Sequence, residues 1–167
     1  MKNDRHRIIE VETAEQIAVV TGIINRSFQT VADEFLFTKE TVPGFPAYIS
    51  IEKISGQIRD GLNMYLYEEG DRNVGCIGIC FSDGANGCKV ERLAVIPEFR
   101  HRGIGKKLME FIENKAKLMN EETLQLEIVH ENSILKNWYS ANGFVELRID
   151  TYDHLPFKVG VLEKKLR

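Results

Sequence analysis

The segment Val90-Glu91-Arg92-Leu93-Ala94-Val95-Ile96-Pro97 runs directly into Glu98-Phe99-Arg100-His101-Arg102-Gly103-Ile104-Gly105-Lys106-Lys107. The first part reads as an apolar strand, and the second reads as a basic turn with two glycines that opens a helix. A helix N-terminus presents amides without intrahelical partners and the positive end of the helix dipole, which together bind phosphate or pyrophosphate. Gly103 and Gly105 lack a Cβ, so an anion can approach their backbone closely. Arg100, Arg102 and Lys106 add positive charge to residues 100–106, here called the glycine turn.

Two common phosphate-binding motifs do not fit the glycine turn. A Walker A loop has four residues between its glycines and a hydroxyl residue after its lysine. Here one residue separates Gly103 from Gly105, and no Ser or Thr follows Lys107. A dinucleotide fingerprint has a third glycine where this chain has Leu108.

Composition narrows the class of ligand. The 167 residues are 43% hydrophobic and 28% charged, with a net charge of −3, which predicts one globular domain over 1–167. A small basic cluster on an acidic protein favours a small anionic ligand over nucleic acid. No apolar run approaches the roughly 20 residues of a membrane span, and residues 1–7 do not resemble a signal peptide.

Cysteine and histidine usage agrees with a cytoplasmic protein without a metal. An odd number of cysteines without metal-type spacing predicts reduced thiols, and free cysteines are commonly buried. They are Cys76, Cys80 and Cys88. The four histidines are scattered and suggest no metal site.

Periodicity and turn residues predict mixed α/β structure around one sheet. Thr13 and Gln16 form a capping box for a first helix that reaches about Phe28, and Ser50 caps a second. Gly143 occupies the position after a helix end that favours glycine. The predicted strands are 7–12, 64–68, 74–81, 88–96, 123–129, 144–152 and 157–166, and the predicted helices are 13–28, 50–61, 103–119 and 133–141. A turn at 83–87 separates the third and fourth strands.

The chain resembles the GCN5-related N-acetyltransferase family over almost its whole length. Arg100 to Gly105 matches the family's Q/R-x-x-G-x-G/A motif, and Leu93-Ala94-Val95 with Pro97 matches the strand before it. Asn132 and the segment 138–144 match the family's later Asn and its Tyr-x-x-x-Gly-Phe sequence, with Tyr139 seven residues after Asn132. The resemblance implies a mostly antiparallel central sheet, flanked by helices and splayed between strands 88–96 and 123–129.

The resemblance also implies acetyl-CoA as the co-substrate and an amine as the acceptor. The amides of the glycine turn would bind the pyrophosphate, a role that falls on Arg102, Gly103, Ile104, Gly105 and Lys106, with Arg100 bordering the turn. The pantetheine arm would pair like an added strand with the backbone of 93–95. Asn132 would contact the same arm, although an Asn before Ser133 could simply cap a helix.

Catalytic roles follow from the same resemblance. Tyr139 matches the family position that donates to the coenzyme sulfur, and a phenol close to that sulfur can act as a general acid. Glu127 is the first candidate for the base that takes the amine proton, and Glu91 is the second. His130 is a third, weaker candidate because it is expected at the surface. Lys89 occupies the position where histone-type members carry their glutamate, so that arrangement does not transfer to this chain.

The acceptor site is expected where residues 28–48 meet the turn 152–157. A cationic amine would suit Asp33, Glu34 and Glu40, whereas an apolar pocket would use the aromatic residues of the same segment: Phe28, Phe35, Phe37, Phe45 and Tyr48. Leu135 replaces the alanine common three residues after the family Asn, and Trp138 replaces Phe or Leu. Two alternatives to an acetyltransferase remain, namely a non-catalytic acyl-CoA sensor and a nucleic-acid binder. A homodimer that pairs through the last strand is a further expectation.

Overall fold

A computed structural model describes residues 6–82 and 87–167. Within these residues, four α-helices and seven strands follow one another in the order β1-α1-α2-β2-β3-β4-α3-β5-α4-β6-β7. The strands are β1 His6–Glu10, β2 Asn63–Glu69, β3 Arg72–Phe81, β4 Gly87–Val95, β5 Thr123–Val129, β6 Val145–Asp150 and β7 Val159–Lys165. The helices are α1 Ala14–Phe35, α2 Ile51–Arg59, α3 Ile104–Leu118 and α4 Ser133–Ala141.

The predicted helix starts are confirmed by their caps. The side chain of Thr13 accepts from the amide of Gln16, while the Gln16 side chain accepts from the Thr13 amide. Ser50 accepts from the amide of Lys53 at the start of α2. At the end of α4, Gly143 has a φ of 90°, as its position predicts.

Two expectations about helices were wrong. Helix α1 continues to Phe35 rather than ending near Phe28, because Ala32 is still buried in its last turn. It ends where Leu36 adopts a left-handed conformation and donates to the carbonyls of Ala32 and Asp33. The helical spacing that points Leu108, Ile112 and Ala116 toward the core predicts the same for Met119, but Met119 follows α3 and is 60% exposed.

All seven strands form one sheet in the order β1-β2-β3-β4-β5-β7-β6. Every neighbouring pair is antiparallel except β4 and β5. In the described part of the chain, these two pair only from Gly87–Thr123 to Lys89–Gln125. Residues 90–95 of β4 therefore separate from residues 126–129 of β5, and we call this gap the sheet opening.

The core comprises two hydrophobic clusters. The larger packs α1, α2 and α3 onto the sheet and includes Cys76 and Cys88, which are buried as predicted. Cys80 departs from that prediction, because it is only partly buried against the same cluster. The smaller one, here called the aromatic cluster, joins the end of α1 and the segment after it to Val129 and to the turn before β7. Its buried members are Ala32, Phe37, Val42, Phe45, Ala47 and Val129, and its partly buried members are Phe28, Val31, Phe35, Tyr48, Leu155 and Phe157.

Parts of two segments discussed from the sequence are not described by the structure. Residues 83–86 of the predicted turn, and residues 1–5 of the N-terminal segment, lie outside the described residues. Within the described ranges, no helix is long and apolar enough to cross a membrane, and no group of three or more His, Cys, Asp or Glu side chains could hold a metal ion. The last strand, β7, pairs with β5 on one side and β6 on the other, so it is not the free edge expected for a homodimer. The edge strand is β6, with exposed Val145, Leu147 and Ile149, and a homodimer itself stays a prediction.

Candidate active site

The glycine turn presents a run of unpaired backbone amides. The amide of Arg100 donates to the Pro97 carbonyl, and the amide of Lys107 donates to the Gly103 carbonyl at 3.0 Å. Between them, the amides of residues 101–106 donate to no group in the described ranges. His101 and Gly103 both have positive φ, 62° and 77°, and such alternation turns successive amides toward one concavity that suits an anion.

Space around the glycine turn also fits a phosphate. A Cβ added to Gly103 would meet no described atom within 4 Å, and its φ of 77° favours glycine. A Cβ on Gly105 would lie 3.4 Å from the Trp138 ring. The start of α3 therefore packs against α4 at Gly105 and stays open at Gly103.

The basic side chains of the turn have separate environments. The Arg102 guanidinium lies 4.5 Å from the centroid of the Phe99 ring and 3.4 Å from Glu69 Oε2, and its side chain is half exposed. Lys106 is exposed beside Glu110. These two charges face solvent next to the free amides, where they would attract an anion.

The Arg100 side chain binds to β4 and α1. Its Nε donates to the Val95 carbonyl at 3.0 Å, and its two terminal nitrogens donate to Thr30 Oγ1 at 3.0 Å and to the Ser27 carbonyl at 2.8 Å. The side chain thus ties the end of β4 to α1. We therefore assign to Arg100 a structural contribution in addition to its predicted position beside the turn.

Replacing Arg100 with Met should reduce the free energy of unfolding by about 2–4 kcal/mol, because it removes three charge-assisted hydrogen bonds and leaves carbonyls without donors. Urea denaturation would measure this change. Arg148→Met is the matched control, since Arg148 is exposed and bonds only to Asp150 in the described residues. Equal stability of both variants would refute the structural role of Arg100.

Strand β4 exposes backbone groups in the sheet opening. The amide of Ile96 donates to Val74 on β3, and Ala94 pairs with Cys76 on the same side. Because backbone groups alternate along a strand, those of Leu93 and Val95 point into the opening. The Val95 carbonyl already accepts from Arg100, so the Leu93 groups and the Val95 amide are left for a ligand.

Both glutamates proposed as bases lie beside the opening. Lys89 and Gln125 are the last paired residues of β4 and β5, so Glu91 and Glu127 stand level across the gap, each two residues farther along. Lys89 Nζ lies 3.3 Å from Glu127 Oε1 and 3.8 Å from Glu91 Oε1. Sequence reasoning missed this bridging lysine, because its spacing from Glu127 becomes meaningful only when the strands align.

The His130 ring contacts Glu146 and Lys136, which are different partners from those of Glu91 and Glu127. Its Nδ1 lies 3.0 Å from Glu146 Oε2 and 2.8 Å from Lys136 Nζ. Partial burial acts to raise the pKa of Glu146, but hydrogen bonds from His130 and Lys136 outweigh it and hold that pKa below its ordinary value. The Nδ1 atom is therefore occupied by an ion-pair cluster.

Tyr139 and Asn132 both lie on α4 or at its cap. The Tyr139 ring is buried at 6% exposure, 5.0 Å from the Trp138 ring and 5.5 Å from the Phe144 ring. Burial raises the pKa of Tyr139. The phenol is protonated near neutral pH even at an ordinary pKa of about 10, so it carries a proton to donate. The Asn132 side chain accepts from the Leu135 amide at 3.1 Å, which confirms the capping role; its contact with pantetheine stays a prediction.

Comparisons with known proteins agree with this architecture. The sequence pattern of the acetyltransferase (GNAT) domain matches residues 60–146, just over half of the chain. The chain therefore belongs to the GNAT acetyltransferase family, as its motifs suggested. A curated relative, an uncharacterized N-acetyltransferase in the pepI 3′ region of Lactobacillus delbrueckii subsp. lactis, is 29% identical over 102 residues. That match covers 57% of this chain and 59% of the relative's length.

Solved structures share the fold. The ribosomal-protein-S18-alanine N-acetyltransferase from Escherichia coli superposes with a TM-score of 0.76 at 15% identity, covering 97% of this chain and 94% of that one. The PaiA N-acetyltransferase from Thermoplasma acidophilum, solved in complex with coenzyme A, has a TM-score of 0.77 at 21% identity and covers 96% and 99%. The splayed mixed sheet predicted from the motifs is confirmed.

Proposed function

We propose that this protein transfers the acetyl group of acetyl-CoA directly to a primary amine. The observation that carries the proposal is the run of free amides at 101–106, set at the end of the sheet opening. An anion bound by those amides places an attached extended chain along β4, where the backbone of Leu93 and Val95 can pair with it.

The side chains around the opening supply the remaining requirements of the reaction. A carbon–nitrogen bond forms as the thioester carbon–sulfur bond breaks. Glu127 takes the proton that the amine loses, and an amide of β4 donates to the carbonyl oxygen as negative charge develops there. Tyr139 donates its proton to the departing sulfur.

Thiol release from acetyl-CoA, measured against a panel of amines beside calorimetry of acetyl-CoA binding, tests the proposal. Binding together with turnover of one amine class supports it and identifies the acceptor class. Binding without turnover of any amine favours the acyl-CoA sensor, because such a protein needs the glycine turn but neither Tyr139 nor a base. Absence of binding refutes the assignment of the glycine turn.

Replacing Glu127 with Gln should lower kcat/KM by about 10²-fold, because an amide cannot accept the amine proton. Affinity for acetyl-CoA should be unchanged. Glu91→Gln is the matched control on the opposite strand, at the same level of the opening and bonded to the same Lys89. A larger loss in the Glu91 variant would transfer the role of base to Glu91.

A further inference from the structure

A small pocket lies beyond the carboxyl end of β5. It has a volume of about 210 Å³, and Phe35, Phe37, Thr41, Glu131 and Phe157 line it. These residues come from the end of α1, the segment after it, the loop after β5 and the turn before β7. The sequence left open whether aromatic or acidic residues line the acceptor site. In this pocket the structure brings together three aromatic rings.

The aromatic wall of the pocket is already packed. Phe37 is buried, and its ring centroid lies 5.7 Å from that of Phe35 and 4.9 Å from that of Phe157. The Tyr48 hydroxyl donates to the Phe37 carbonyl at 2.8 Å and holds this backbone in place. A ligand that enters the pocket therefore meets preformed apolar surface and orders few side chains.

The pocket is linked to Glu127 through the aromatic cluster and β5. Val129 packs in the aromatic cluster with Phe37 and Phe157. It lies two residues after Glu127 on the same face of β5, a displacement of about 7 Å along a strand. An amine held at Glu127 would therefore have Val129 and the aromatic cluster about 7 Å away along β5, within reach of a two-carbon chain that carries a ring.

Charge in the pocket is limited. Of the lining residues, only Glu131 is ionisable, and its two carboxylate oxygens accept from the backbone amide of Lys158 at 3.1 and 3.2 Å. Asp33, one of the acidic residues considered as a cation site, instead accepts from Gln29 on the surface of α1.

We infer that the pocket binds an apolar, ring-sized group of the acceptor, so that the preferred substrates are primary amines carrying an aromatic or branched aliphatic group near the nitrogen. This inference rests on the proposed function for the position of the amine. It names a substrate class that the resemblance leaves open, and it excludes small hydrophilic amines and polyamines as the best ligands.

Calorimetry on the protein saturated with coenzyme A tests the inference without requiring turnover. Phenethylamine should bind at least about tenfold more tightly than ethylamine, because its ring leaves water for apolar surface. n-Pentylamine should bind more tightly than cadaverine, which has the same chain with a second cation. Equal affinities in the first pair, or tighter binding of cadaverine in the second, would overturn the inference.

A pair of variants tests whether the preference for phenethylamine depends on the pocket. Phe157→Ala should remove most of the preference for phenethylamine while ethylamine binding is unchanged. Phe111→Ala is the matched control, since this half-buried ring on α3 packs against Tyr65, away from the pocket. Retained affinity for coenzyme A shows that each variant is folded. A preference that survives in Phe157→Ala would overturn the assignment of the pocket.

The outcomes separate this inference from the proposed function. Preferential binding of phenethylamine without acetyl transfer supports the pocket and refutes the proposed reaction. Acetyl transfer to amines with no preference for an apolar group supports the reaction and refutes the pocket.

Discussion

Replacing Gly103 with Val should abolish binding of acetyl-CoA in a protein that remains folded. The space beside Gly103 is free of described atoms within 4 Å, so the added side chain would occupy the position assigned to the pyrophosphate. It would also disfavour the φ of 77° that turns the neighbouring amides toward the ligand. Calorimetry at concentrations of acetyl-CoA that saturate the wild type would show no binding heat.

Backbone strain needs its own control, since a β-branched residue in the left-handed region costs about 1–2 kcal/mol wherever it lies. Gly61→Val provides it, because Gly61 has a φ of 109° and open surroundings but belongs to the turn between α2 and β2. That variant should lose comparable stability and keep its affinity. Full affinity in a folded Gly103→Val protein would refute the phosphate site.

Replacing Tyr139 with Phe should lower kcat by about 10²-fold or more, the typical contribution of a general acid, while acetyl-CoA still binds. The ring contacts with Trp138 and Phe144 survive the substitution. The hydroxyl has no hydrogen-bond partner among the described residues, so its removal breaks no hydrogen bond there. Steady-state turnover with a saturating amine measures the effect.

Tyr65→Phe is the matched control for this substitution, because Tyr65 is equally buried but lies on β2. It should leave kcat unchanged. Wild-type turnover in the Tyr139 variant would show that Tyr139 is only a packing residue. Equal losses in both variants would indicate a general effect on the fold.

Local sequence signals predicted most of the secondary structure because those signals act over a few residues. The capping box at Thr13, the cap at Ser50 and the glycine at 143 each fixed a boundary that the structure reproduces. The end of α1 was not predictable in this way. Leu36 takes the left-handed conformation usually left to glycine, and packing of Ala32 in the aromatic cluster, a tertiary contact, sustains the last two turns.

The site was partly predictable for the same reason. The glycine turn is one continuous segment, so its run of free amides at the start of α3 could be inferred from order and spacing alone. The salt bridges of Lys89 join residues on two strands, and the bonds of Arg100 reach about 70 positions back along the chain to Ser27 and Thr30. Arg100 matched a motif, but its side-chain partners depend on how α1 crosses β4.

The short pairing of β4 with β5 divides the sheet into two blocks of strands. The last shared backbone pairs lie at Lys89 and Gln125, so the block formed by β1 to β4 and the block formed by β5 to β7 are joined by few hydrogen bonds across their common border. An extended ligand in that gap would add hydrogen bonds along the border that has the fewest paired residues among the described strand pairs. Such a ligand would join the two blocks, and its loss would leave them free to fluctuate more independently of each other.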